Sequence, residues 1–194
     1  MTETVDVVGV VGAGFMGSGI AQSAAAAGKR VILHEPSSEP LDRSRAALAD
    51  ALERAVEKGR LRSEDAAATA ARITYTTALE DLAAAGAVIE AVYEDRDVKR
   101  GLFALLDDAV PGAAFLASNT SSIRIEDLAQ ATARPERVVG LHFFSPVPVM
   151  KLVEIVASPH TAPETIAAAE GLAREIGKEP VRAPDRAGFV VNAL

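Results

Sequence analysis

Two residues stand out for the chemistry that their surroundings would give them. His142 ends a β-branched run in GLHFFSPVPVMKLVEI, and Glu154 lies twelve residues on, inside the next apolar run. A carboxylate within LVEIV needs a partner, because buried charges are rarely left unpaired. The turn between the two runs centres on Pro148. If the runs pair antiparallel, His142 and Glu154 stand symmetrically about that centre and face each other. A carboxylate against an imidazole orients the ring and stabilises its protonated form, which makes a general base near neutral pH. A purely structural His–Glu contact would use the same residues at the same spacing, so both readings stand at this point. The other histidines read differently: His34 as an incidental strand-end residue, and His160, after Pro159, as a solvated loop residue.

A second constellation lies near the start. Gly12-Ala13-Gly14-Phe15-Met16-Gly17 is G-x-G-x-x-G, which alone is a weak signal. Here it follows a β-branched strand and opens a helix, the context that gives it meaning. Gly12 permits a tight turn, Gly14 lets backbone approach a pyrophosphate, and Gly17 lets the helix pack closely on the strand. The helix N-terminus offers unpaired N–H groups and a favourable dipole to phosphate. Phe15 and Met16 sit within the turn. Glu35 stands 18 residues after Gly17, at the end of the second strand. A carboxylate there would accept hydrogen bonds from ribose hydroxyls and repel a 2′-phosphate, which favours NAD over NADP.

Further polar residues end strands. Ser118-Asn119-Thr120-Ser121-Ser122 follows an apolar strand, where a doubly wound fold binds ligands; an ordinary Ser/Thr turn is the alternative. Glu90 and Glu94 flank another strand end, with Lys99 on the following helix, and taken singly each reads as a solvated charge. Asn192 is a polar residue in an apolar helical stretch.

The elements that must position these groups follow from hydrophobic spacing. Strands are expected over 5–11, 30–34, 72–76, 87–92, 114–118, 137–143 and 151–157, the last two joined by a short Pro-containing loop. Helices are expected from the glycine turn to about Gly28 and near 95–109, 125–131 and 163–177. Residues 38–71 carry Leu41, Leu48, Leu52 and Val56 at helical spacing, are broken at Gly59 and restart at Ser63 as a cap, so they read as an inserted helical hairpin. The whole is an α/β pattern, a doubly wound, mostly parallel sheet of Rossmann type. The chain has 194 residues, no Cys and a net charge of −7. Those values exclude disulfides, thiolate catalysis and Cys-ligated metal sites, and they argue against nucleic acid as a partner. No metal site is read from the sequence. No apolar run suits a bilayer span, and no basic leader precedes the first strand, so a cytoplasmic protein with no membrane partner is expected.

The residues as a set resemble the NAD-binding domain of the L-3-hydroxyacyl-CoA dehydrogenase family, including its 3-hydroxybutyryl-CoA type. The matching stretches are GVVGAGFMGSGIAQ, VIEAVYED, SNTSS, GLHFFSPVPVMKLVEI and GFVVNAL, which together span nearly the whole chain. The resemblance implies NAD-dependent, reversible oxidation of a 3-hydroxyacyl-CoA, as in fatty-acid β-oxidation. It implies that His142 is the base, Glu154 its partner, Ser121 a hydrogen-bond donor to the reacting oxygen, and Asn192 a substrate-side amide. It places Glu94, Lys99, Asn119 and Ser145 beside the cofactor and makes the hairpin a CoA-binding arm, with Arg54, Lys58, Arg60 and Arg62 as candidates for its phosphates. Many members of the family carry Asn at the position of Ser145, which leaves substrate choice open. The resemblance also divides the chain into a cofactor domain over 1–187 and, over 188–194, the start of a C-terminal helical domain that is otherwise absent. In the family that domain closes the acyl cleft and makes a homodimer, so the fragment is expected to bind NAD and turn over weakly. Two other readings stay open: an NAD-binding module without turnover, and a dehydrogenase for a carrier-protein thioester.

Overall fold

Strand β1 (Val7–Val11) is five buried residues in a row, the signature of a strand covered on both faces. The computed structural model describes residues 5–186 and surrounds β1 with seven more strands. These are β2 (Arg30–His34), β3 (Ile73–Thr76), β4 (Ala87–Glu90), β5 (Phe115–Ser118), β6 (Val138–Phe143), β7 (Leu152–Ala157) and β8 (Glu179–Pro184). They form one sheet in the order β3-β2-β1-β4-β5-β6-β7-β8. Every pair is parallel except β6 with β7. The direction of chain progress reverses between β1 and β4, so a crevice opens beyond their carboxyl ends, where ligands bind in such sheets.

The helices are α1 (Phe15–Ala26), α2 (Ser38–Glu57), α3 (Ser63–Ala71), α4 (Arg96–Ala109), α5 (Ile125–Ala129) and α6 (Pro163–Glu175). Two apolar cores lie on opposite sheet faces. One joins Val8 and Val10 to Ile20, Leu41 and Leu172; the other joins Val88 to Phe103, Leu106, Ile125 and Leu128. The 38–71 segment is a helical pair, as its spacing predicts, and α2 buries Leu41, Leu48 and Leu52 along one stripe. Gly59 turns the chain between the two helices at φ +64°. The pair is also the β2-to-β3 crossover itself, with α3 packed on α1 and α2. Ser63 is the first residue of α3 rather than its cap, and Arg62 pairs with Asp65 at 2.7 Å instead. No helix among the described residues is long and apolar enough to cross a membrane.

Strand β8 is the element the spacing does not announce. Its sequence, EPVRAP, holds two prolines and has only one buried residue, so it reads as a loop. It forms because it lies at the sheet edge, where a missing N–H is tolerated. At the other critical place the expectation holds. Strands β6 and β7 pair antiparallel with His142 opposite Glu154. Residues 188–194, including Asn192, lie outside the described residues.

Candidate active site

The glycine turn is built as its spacing requires. Gly12 adopts φ +105°, and a Cβ there would lie 2.6 Å from the Ala91 carbonyl oxygen. A Cβ on Gly17 would lie 1.8 Å from the Gly12 carbonyl oxygen, so only Gly lets α1 sit this close to the turn. A Cβ on Gly14 would meet nothing within 4 Å, and Gly14, as the N-cap of α1, gives its first amides no side-chain cap. Open space, uncapped amides and a helix dipole suit a phosphate. Glu35 Oε2 accepts from the Ala13 amide at 3.1 Å, tying the acid at the end of β2 to this turn. A cavity of about 770 Å³ runs from the turn between Glu35, Tyr93, Val98 and Leu102. Its apolar walls, one carboxylate and phosphate-ready amides fit the adenosine half of a dinucleotide.

His34 lines the same cavity but is 5% exposed, and its Nδ1 has no hydrogen-bond partner among the described residues. It is therefore a buried ring rather than an incidental strand end. Burial pushes its pKa below the usual histidine value, against the opposing charge of Glu35. His160 is partly exposed, 4.0 Å from Glu126, as a loop residue should be.

A second cavity, of about 380 Å³, lies across the crevice. It is lined by Met16, Glu94, Lys99, Asn119, Ser121, His142 and Ser145, residues from four separate stretches of chain. Phe15, next to Met16, is 72% exposed. His142 Nδ1 and Glu154 Oε2 are 2.7 Å apart and both residues are buried. The contact follows from the β6–β7 register, which sets the two side chains directly opposite. The Phe144 ring packs against the imidazole with centroids 4.6 Å apart. Asn119 Oδ1 accepts from the Phe143 amide at 2.9 Å, which locks the loop after β5 to the end of β6. Ser121 therefore faces the same space as the His142 ring.

Sequence spacing misses the group beneath this cavity. Glu90 is fully buried, and Lys99 is only 1% exposed. Lys99 Nζ donates to Glu90 Oε1 and lies 3.4 Å from Glu94 Oε2. Glu90 also accepts from the Val92 amide at 2.7 Å and the Ser118 hydroxyl at 2.6 Å. Reading Glu90 and Lys99 as solvated charges is thus corrected: they form a buried pair, because a strand end and the next helix bring them together. Glu94 in turn accepts from Thr120 Oγ1, the Ser121 amide at 3.1 Å and Ser122 Oγ at 2.8 Å. Burial opposes the Glu94 charge. The Thr120 and Ser122 hydrogen bonds, Lys99 and the Ser121 amide outweigh it and hold the carboxyl below its usual pKa.

A third cavity, of about 500 Å³, lies between α1, α2 and the loop after β6, lined by Ser18, Arg43, Ser44, Arg54, Pro146 and Val147. Arg54 is on its wall, while Lys58, Arg60 and Arg62 are not among its lining residues. Arg62 is instead paired with Glu64 and Asp65.

Comparison with known proteins gives a consistent result. Residues 7–186 match the family described as 3-hydroxyacyl-CoA dehydrogenase, NAD binding domain. A 3-hydroxybutyryl-CoA dehydrogenase of Mycobacterium tuberculosis is 47% identical over 196 aligned positions, covering 100% of this chain and 68% of the relative. A 3-hydroxyadipyl-CoA dehydrogenase of Escherichia coli is 43% identical, with this chain covering 41% of it. The crystal structure of a 3-hydroxybutyryl-CoA dehydrogenase from Ralstonia eutropha superposes with a TM-score of 0.96 at 41% identity, over 98% of this chain and 68% of that one.

Proposed function

The chain belongs to the 3-hydroxyacyl-CoA dehydrogenase family, whose members are NAD-dependent oxidoreductases, and from this premise we propose that it performs the cofactor-binding and proton-transfer part of L-3-hydroxyacyl-CoA oxidation. The observation that carries the reading is the buried contact of Glu154 with His142, which lines a cavity shared with Ser121 and Asn119. The amides at the start of α1 would hold the pyrophosphate, and Glu35 the adenosine ribose. When bound, NAD supplies the acceptor for the hydride that leaves substrate C3. Glu154 holds His142 by Nδ1, which leaves Nε2 as the nitrogen that takes the proton of the 3-hydroxyl. The carboxylate then stabilises the imidazolium. Ser121 would donate to the substrate oxygen as it becomes a carbonyl. The reverse reduction uses the same groups, with His142 returning the proton. Arg54, on the wall of the groove between α1 and α2, would meet the phosphates of the CoA moiety, with Lys58 one turn further on. Asn192 as a substrate-side amide, residues 1–187 as the cofactor domain, and assembly as a homodimer are part of the same proposal.

The test is a single-turnover reaction with protein in excess over L-3-hydroxybutyryl-CoA, so that a slow first turnover still counts. The expected result is NADH from the L ester and none from the D ester. Tight NAD binding with no NADH from either ester would overturn the catalytic reading in favour of a binding module.

Cofactor choice gives a second expectation. Replacing Glu35 by Ala removes the ribose acceptor and frees the Ala13 amide. NADH affinity should fall about tenfold, or about 1.4 kcal/mol, while NADPH affinity rises towards it. Titration by nicotinamide fluorescence reads both. Unchanged discrimination between the two cofactors would place the ribose elsewhere.

A further inference from the structure

Lys178 is 7% exposed, and the reaction as derived does not use it. It follows Gly177, whose φ of +77° ends α6, and its amide returns to the Ala173 carbonyl at 2.8 Å. That turn drives the side chain under the loop between β6 and β7. Its ammonium donates to the Val147 carbonyl and, at 2.9 Å, to the Met150 carbonyl. Burial lowers its pKa, and among the described residues no carboxylate offsets this. A buried cation without a paired carboxylate is costly unless its hydrogen bonds are needed.

The loop it holds has an unusual position. It begins directly after the His142 strand and ends before the Glu154 strand. Ser145 lines the cofactor-side cavity, and Pro146, Val147 and Pro148 line the groove between α1 and α2. One short segment is therefore the common wall of both spaces. Its inner side rests on α1: a Cβ on Gly19 would lie 3.0 Å from Val147 Cβ. Its outer side is open, with Val149 72% exposed. Within the loop, the Val149 and Met150 amides both donate to the Pro146 carbonyl, at 2.9 and 3.0 Å. The carbonyls of Val147 and Met150 are held from below by Lys178.

We infer that Lys178 is a positioning residue for the acyl thioester. By clamping the 147 and 150 carbonyls, it fixes the wall that aligns a substrate lying in the α1–α2 groove with His142. This inference rests on the dehydrogenase reading above. Lys178 touches neither the reacting atoms nor the glycine turn, and it clamps the groove side of the loop at 147 and 150 and not Ser145, so its loss should be felt in substrate binding and not in cofactor binding.

The experiment compares Lys178→Met and Lys178→Arg with wild type. In Lys178→Met, KM for L-3-hydroxybutyryl-CoA should rise about tenfold or more, kcat should change far less, and NADH affinity should stay unchanged. The Val149 and Met150 amides should exchange with solvent about tenfold faster, with the rest of the sheet unaffected. Lys178→Arg, which keeps a donor pair, should restore most of the KM and remain testable should the Met variant fold poorly. Unchanged KM or unchanged amide exchange in the Met variant overturns the inference. So does a parallel loss of NADH affinity and global stability, which would make Lys178 merely structural. A wild-type protein that oxidises no 3-hydroxyacyl-CoA is a different failure, that of the dehydrogenase reading itself.

Discussion

Replacing His142 by Ala is expected to slow hydroxyacyl oxidation by about 100- to 10,000-fold, the range lost with a general base, while NADH affinity stays nearly unchanged. The separation follows from the layout. The glycine turn and Glu35 line one cavity, and His142 lines the other. Replacing Glu154 by Gln tests the same pair from its far side. The amide can donate to Nδ1 and so fix the tautomer that carries its hydrogen on the wrong nitrogen, leaving Nε2 protonated and unable to accept. A loss of about 100-fold or more is therefore expected there too, without loss of the sheet register that places the pair. Initial rates of NADH formation and nicotinamide fluorescence titrations read the two quantities. Equal losses of rate and cofactor affinity in His142→Ala would show that the pair holds the fold together and does no proton transfer.

What the sequence discloses depends on how far apart the interacting residues are and what relates them. The His142–Glu154 contact is legible because a hairpin is a local symmetry: two apolar runs folding about Pro148 must oppose residues equidistant from it. The glycine turn is legible because each glycine answers a separate steric demand, now seen at Gly12 and Gly17. The Glu90–Lys99 pair is not, because nine positions separating a strand end from a helix match neither the period of a strand nor that of a helix. Asp185 is similar: it accepts from the Ile125 and Glu126 amides at 2.7 and 2.8 Å and so caps α5 from some 60 residues away. Strand β8 fails for the opposite reason. Its local signals, two prolines and little apolar periodicity, are real, but pairing with β7 at an edge overrides them. Lys178 combines both difficulties, since a lysine in a turn after a helix ordinarily points to water.

Replacing Lys99 by Met should cost about 3–5 kcal/mol of stability, the penalty for stripping a buried carboxylate of its counter-charge. Glu90, fully buried, would keep only the Val92 amide and the Ser118 hydroxyl. The partner-free charge is the source of the loss, so the double variant Glu90→Gln with Lys99→Met should recover most of it, and urea denaturation of the set measures the coupling. A single variant within about 1 kcal/mol of wild type would show that Glu90 finds water or a proton at little cost, and that the pair is not coupled. On the dehydrogenase reading the stability so measured has an expected catalytic counterpart. Lys99 also neighbours Glu94, whose carboxylate gathers Thr120 Oγ1, the Ser121 amide and Ser122 Oγ into one turn. Through these links β4, β5 and α4 hold Ser121 beside the His142 cavity. The double variant, stable but without the ammonium, should therefore bind substrate and cofactor more loosely and turn over more slowly than its stability alone predicts. On the dehydrogenase reading, a charge pair that the proton transfer itself never uses would thus set where its hydrogen-bond donor stands.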